Sequence, residues 1–207
     1  MKKFQTIEFD KLTYERELND FNQLLTQNKS LQERKEILPF FRERPVLSSL
    51  IGSFITDLMY IDRIAYEYDL FGDFQCDLVV GDSRRDVYCF IEFEDALPNS
   101  VFTEKKTKFK AEFATRLEHG YSQIVDWFYT LNQSNDAKMR ERFNANSIDY
   151  HGILIIGRNQ FISDETNMSR LKWRSRNTIV DSKRIHIITY DELYEFLNAK
   201  YKVMFGY

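Results

Sequence analysis

Residues 74–94 read FQCDLVVGDSRRDVYCFIEFE, and this stretch decides the fold. Its two ends, 74–80 and 87–93, are short and rich in β-branched and aromatic side chains, and the run Gly81-Asp82-Ser83-Arg84-Arg85 punctuates them, the pattern of a β-hairpin. Just upstream, residues 64–70 form a third such run, closed by Phe71-Gly72-Asp73. Together the three predict an antiparallel meander.

Successive side chains on a strand point to opposite faces. Tyr88, Phe90, Glu92 and Glu94 therefore share one face of the third strand, and Val87, Cys89, Ile91 and Phe93 the other. Two carboxylates at the end of an otherwise apolar strand are costly unless something pairs with them. If the turn centres on Ser83-Arg84, Asp77 sits opposite Phe90 and diagonal to Glu92, within side-chain reach of a shared ion. Clustered acids repel one another, and an oxygen-ligated Mg²⁺ or Mn²⁺ relieves that repulsion. Strand-end acids are also commonly solvated or paired with surface Lys and Arg, so spacing alone leaves both readings open.

Beyond the meander the period turns helical over residues 104–131. Phe113, Leu117, Tyr121, Ile124, Phe128 and Leu131 share one face. Beside them Glu112, Arg116, His119, Gln123 and Trp127 form a stripe able to look toward the acids. On that stripe Gln123 is placed to orient a water or contact a phosphate, and Arg116 or His119 to neutralise charge. An ordinary amphipathic boundary gives the same stripe. A strand at 153–156, a helix at 165–174, a strand at 185–189 and a final helix to about residue 201, capped by Thr189 or Asp191, complete the chain.

Toward the N-terminus, residues 10–41 carry apolar residues at helical spacing in two segments, with Ser30 and Glu33 as a capping box for the second. Pro45 and Gly52 interrupt the stretch that follows. The element order predicts an α/β fold with a mixed central sheet flanked by helices. It divides into an N-terminal helical segment, 1–60, and a core, 61–207.

Of the 207 residues 43% are hydrophobic, with 7 Gly and 3 Pro, which excludes a disordered, linker-like or collagen-like chain. The net charge of −3 advertises no bulk affinity for nucleic acid, so such binding needs a local basic patch. Arg158, Arg170, Lys172, Trp173, Arg174 and Arg176 provide one, or a solvated helix face. Cys76 and Cys89 lie inside strand-like runs and read as reduced core thiols. The start lacks the apolar region of an export signal, and no apolar run reaches the roughly 18 residues of a membrane span. The expectation is a cytoplasmic protein with no membrane partner.

Several segments together resemble the Shedu family of anti-phage defence nucleases, within the PD-(D/E)XK superfamily: GDFQCDLVVGD (72–82), FIEFED (90–95), EHGYSQIVDWF (118–128), ILIIGR (153–158) and IHIITYDEL (185–193). The resemblance implies a restriction-endonuclease-like core and a homo-oligomeric, metal-dependent endonuclease that hydrolyses DNA phosphodiesters with Mg²⁺ or Mn²⁺. It makes Asp77 and Glu92 the metal ligands and Gln123 the helical glutamine. Glu94 stands where the family pattern usually has lysine. A migrated lysine from Lys105, Lys106, Lys108 or Lys110, or an N-terminal acid, Glu33 or Glu36, would complete such a site. Asp82 is a weaker metal candidate because it sits in the proposed turn. Arg158, Arg170, Lys172 and Arg174 become candidate phosphate contacts. The alternative is a catalytically inactive nucleic-acid-binding or assembly module on the same fold.

Overall fold

The computed structural model describes residues 3–104, 110–162 and 164–206. After a short strand β1 (Gln5–Thr6), the Asp10 side chain accepts a hydrogen bond from the Thr13 amide and starts α1 (Lys11–Gln27). Chain reversal follows at Leu31, which pairs with Ala96. The predicted Ser30 cap does not form. Instead the Glu36 carboxylate accepts from the Gln32 amide at 2.6 Å and opens a π-helical turn, Glu33–Ile37. Two short helices follow, α2 (Leu38–Arg42) and α3 (Pro45–Leu50).

The meander is as expected: β2 (Arg63–Leu70), β3 (Phe74–Asp82) and β4 (Val87–Phe93). Its register is shifted by two residues from the expected one, because the turn is Ser83–Asp86, centred on Arg84-Arg85, with Asp86 at φ +55°. Val79, not Asp77, therefore pairs with Phe90. Continuing that register sets Asp77 opposite Glu92.

Before the long helix runs a small hairpin, β5 (Phe102–Thr103) with β6 (Glu112–Phe113), so α4 (Thr115–Asn132) starts later than its periodicity suggests. Glu112 thus leaves the helical stripe. Then come α5 (Asp136–Phe143), β7 (Asp149–Ile155), α6 (Glu165–Asn177), β8 (Ile179–Val180), β9 (Lys183–Ile188) and α7 (Tyr190–Phe205). Thr189 caps α7 with a complete capping box to Glu192.

The sheet order is β1-β2-β3-β4-β7-β9-β8; β7 lies parallel to both β4 and β9, and the other pairs are antiparallel. Helices cover both faces. Tyr14, Phe21, Phe41, Leu47 and Leu193 join Leu78, Cys89 and Ile91 in one apolar cluster. Leu117, Ile124, Trp127 and Phe128 of α4 join Tyr88, Phe90 and Leu154 on the other side. Both cysteines are buried free thiols. Among the described residues no helix is long and apolar enough to cross a membrane.

Candidate active site

A local irregularity places the first acid. In β2, Ile64 and Tyr66 face one apolar layer, whereas Tyr68 and Leu70 face the other. The faces exchange at Glu67, whose φ is +46°, and ladder pairing skips it opposite Asp77. The Asp77 side chain then takes over from the ladder, accepting the Phe93 amide at 2.9 Å. That amide belongs to the residue between Glu92 and Glu94.

Glu92 and Glu94 are 5% and 1% exposed. One Glu92 oxygen, Oε2, is buried without a hydrogen-bond partner among the described residues. Burial, and then the neighbouring Asp77, Glu94 and Glu33, push its carboxyl well above the ordinary range. Asp77 is pushed up to about 7, chiefly by burial; the Phe93 amide opposes this, and Glu33 and Glu94 add to it. Glu33, at the start of the π-helical turn, and Glu94 are raised by burial as well, against nearby Arg116. Four acids from three separate segments thus share one partly dry site.

The α4 stripe supplies the opposing charge. Arg116 Nη1 lies 3.2 Å from Glu94 Oε2 and 3.6 Å from Glu33 Oε2, and its Nη2 lies 2.8 Å from Asp95 Oδ2. His119 Nδ1 is 3.0 Å from Glu94 Oε1. One residue on, Gly120 lets helix and strand approach: a Cβ there would come within 2.9 Å of Glu94 Cγ and 2.7 Å of Leu154 Cδ1. Gln123 follows one turn beyond His119, its Oε1 buried with no hydrogen-bond partner among the described residues. At the position usually held by lysine, Glu94 therefore meets a guanidinium and an imidazole that come from the helix.

The backbone after Glu92 is held from several sides. The Glu94 amide donates to Ile155 O at 2.9 Å, the Tyr190 hydroxyl donates to Glu94 O at 2.7 Å, and Ala96 donates to Leu31 O at 2.9 Å. Asp95 accepts the Glu33 amide at 2.8 Å, which fixes the N-terminal acid beside the strand acids. Asp95 and Tyr190 are the contributors that sequence reasoning missed. Asp95 adjoins the acid pair, but nothing in the pattern says that it holds Glu33.

Buried carboxylates that mutually raise their proton affinity, with an orphaned oxygen among them, are a donor set that fits a hard divalent cation. The family model described as "Shedu protein SduA, C-terminal" matches residues 16–194. The chain belongs to the Shedu family. Membership suggests a role in anti-phage defence. A comparison with curated proteins finds none that matches this Shedu chain.

The other expected residues are scattered. Asp82 is fully buried, and its carboxylate accepts the Tyr60 and Arg84 amides, organising the turn. Lys105, Lys106 and Lys108 lie outside the described residues, and Lys110 is exposed. Arg158 is 6% exposed, its Nε 3.0 Å from both Asp191 oxygens and its Nη atoms bonded to the Asn28 and Leu25 carbonyls. Its donors thus face inward. Arg170 donates to Ala111 O, and Arg174 makes a two-pronged pair with Glu118. Lys172 is half exposed, 3.5 Å from Glu192.

Among the described residues, the group whose ligand atoms all lie within 4.8 Å of one another is a different one, Asp57, Asp149 and His151 at the opposite end of β4 and β7. That group is mostly exposed, and Lys183 already pairs with Asp149 at 3.0 Å.

Proposed function

We propose that this Shedu chain is a metal-dependent DNA endonuclease acting in defence against phage, with its reaction centre at Glu33, Asp77, Glu92 and Glu94. The observation that carries this reading is the convergence of those four acids, with a Glu92 oxygen left unpartnered in a buried site. Element order supports it too: an acid on the second strand of a meander, an acid pair at the third, and a following helix that carries Gln123 form the pattern by which the sequence resembles the PD-(D/E)XK superfamily.

Asp77 and Glu92 are the residues to hold Mg²⁺ or Mn²⁺, with Glu33 beside them. A bound divalent ion supplies polarisation of the phosphate and a more acidic water. Glu94, desolvated and bonded to His119, is placed to accept a proton from the attacking water. Gln123, with its unspent carbonyl, orients water or substrate, and Arg116 and His119 balance charge at the rim. Arg170, Lys172 and Arg174 stand as phosphate contacts, whereas the inward-facing Arg158 is a structural tie.

The test is incubation of the purified protein with linear and circular DNA in Mg²⁺ and in Mn²⁺, with Glu92→Gln as control. Cleavage by the wild type alone is expected. Equal cleavage by a pure, folded Glu92→Gln protein would sink the assignment of the centre. No cleavage in either ion would favour the inactive binding module, for which Glu94 in place of lysine is the motivating residue.

A further inference from the structure

The acid cluster carries its own cation. Arg116 touches Glu94, Glu33 and Asp95 at once, yet its side chain is 43% exposed, whereas that of Glu94 beneath it is 1% exposed. Cavities of about 430 and 490 Å³ flank it, both bordered by Asp95, Leu97 and Arg116. The first also presents Arg34 and Lys35, both exposed, and the second His119. Arg116 thus divides a groove with Arg34 and Lys35 on one side and the His119 imidazole on the other.

A divalent ion on Asp77 and Glu92 competes with Arg116 for Glu33, the acid that both can reach, and repels the guanidinium at close range. The guanidinium has a flexible stem, an exposed head and open space on both sides. Its planar fork suits a phosphate as well as a carboxylate. We propose that Arg116 is an exchangeable cation, closing the acid cluster when no divalent ion is bound and moving to a substrate backbone phosphate in the flanking groove when one binds. This inference rests on the nuclease reading of the same acids.

The experiment has two readouts that need no cleavage. Mn²⁺ affinity without DNA is measured calorimetrically for the wild type, Arg116→Ala and Arg116→Lys, each first shown to be folded by its melting curve. DNA affinity is then measured in Ca²⁺, as a non-cleaving ion, across a salt series. With the competing cation gone, Arg116→Ala should bind Mn²⁺ about three- to tenfold more tightly. Its DNA affinity in Ca²⁺ should fall about tenfold, with a salt slope smaller by about one. Arg116→Lys should lie between the two.

Unchanged or weaker Mn²⁺ binding by folded Arg116→Ala overturns the exchange and makes Arg116 a fixed structural member. Tighter Mn²⁺ binding with unchanged DNA affinity overturns its move to phosphate. No Mn²⁺ binding by the wild type overturns the metal reading of the acids and this proposal with it. Normal wild-type Mn²⁺ binding with no difference in the variants overturns this proposal alone.

Discussion

Asp77 and Glu92 face each other where the ladder between β3 and β4 gives out, and the Asp77 carboxylate replaces a strand partner by taking the Phe93 amide at 2.9 Å. One side chain therefore closes the hydrogen bonding of the sheet and points an acid at its neighbour. Such an acid is held in position by the strand, and burial makes its charge costly there.

That cost predicts a pH dependence. The folded state raises the Asp77 carboxyl to about 7, so the native chain binds this proton more tightly than the unfolded chain, whose value is about 3.9. The stabilisation is fully present below about 3.9 and is lost as pH rises through 7. Glu92, Glu94 and Glu33 shift in the same direction. Between pH 5 and pH 8 the metal-free wild type should lose roughly 3–6 °C of melting temperature relative to Asp77→Asn. Mn²⁺ at pH 8 should restore the wild type and leave the variant unmoved. Parallel melting profiles for the two proteins would count against a dry acid cluster.

Gly120→Ala tests the contact between α4 and β4. The added methyl would overlap Glu94 and Leu154, and neither is free to leave, since both are buried. Overpacking of this kind should cost about 1–3 kcal/mol, and Mn²⁺ affinity should fall because Glu94 shifts. Chemical denaturation together with metal titration checks it; unchanged stability would mean that helix and strand can separate freely.

Tyr190→Phe isolates one restraint on the acidic strand. Its hydroxyl is fully buried against the Glu94 carbonyl, so its loss should cost about 1–2 kcal/mol while preserving packing. Cleavage should fall through kcat rather than KM, because Glu94 loses its fixed backbone. A change confined to KM would place Tyr190 in substrate binding instead.

Arg158→Met should destabilise by about 3–5 kcal/mol, since it leaves Asp191 and two carbonyls without their buried partner. Any folded fraction should bind DNA as the wild type does. A specific loss of DNA affinity at unchanged stability would return Arg158 to the nucleic-acid surface.

The period-2 runs and their turn residues were enough to foresee the meander, because strand alternation and turn chemistry are local. The same alternation put Glu92 and Glu94 on one face, and the structure agrees. The hairpin register was not legible: Asp86 accepts a left-handed backbone without being glycine, so the turn centres on Arg84-Arg85 where Ser83-Arg84 was expected. Nor was the late start of α4, since the apolar spacing around Phe113 serves a strand pairing with Phe102 as well as a helix. Arg158 looked like a phosphate contact because sequence carries no sign of burial. Glu33 was a candidate, yet long-range contacts that no local pattern encodes bring it to the acids: its amide to Asp95, the Leu31–Ala96 pairing and the shared Arg116.

The N-terminal helices do more than cover one face of the sheet. Tyr14, Phe21, Phe41 and Leu47 belong to the same apolar cluster as Ile91 and Ile155, and the loop after α1 is pinned by Arg158. A chain begun at residue 61 would bare that face of the sheet and lose Glu33 in the same cut. Cover and reaction centre should therefore protect their amides from exchange as one cooperative unit, so a fragment minimised to the acidic strands would have no centre left to study.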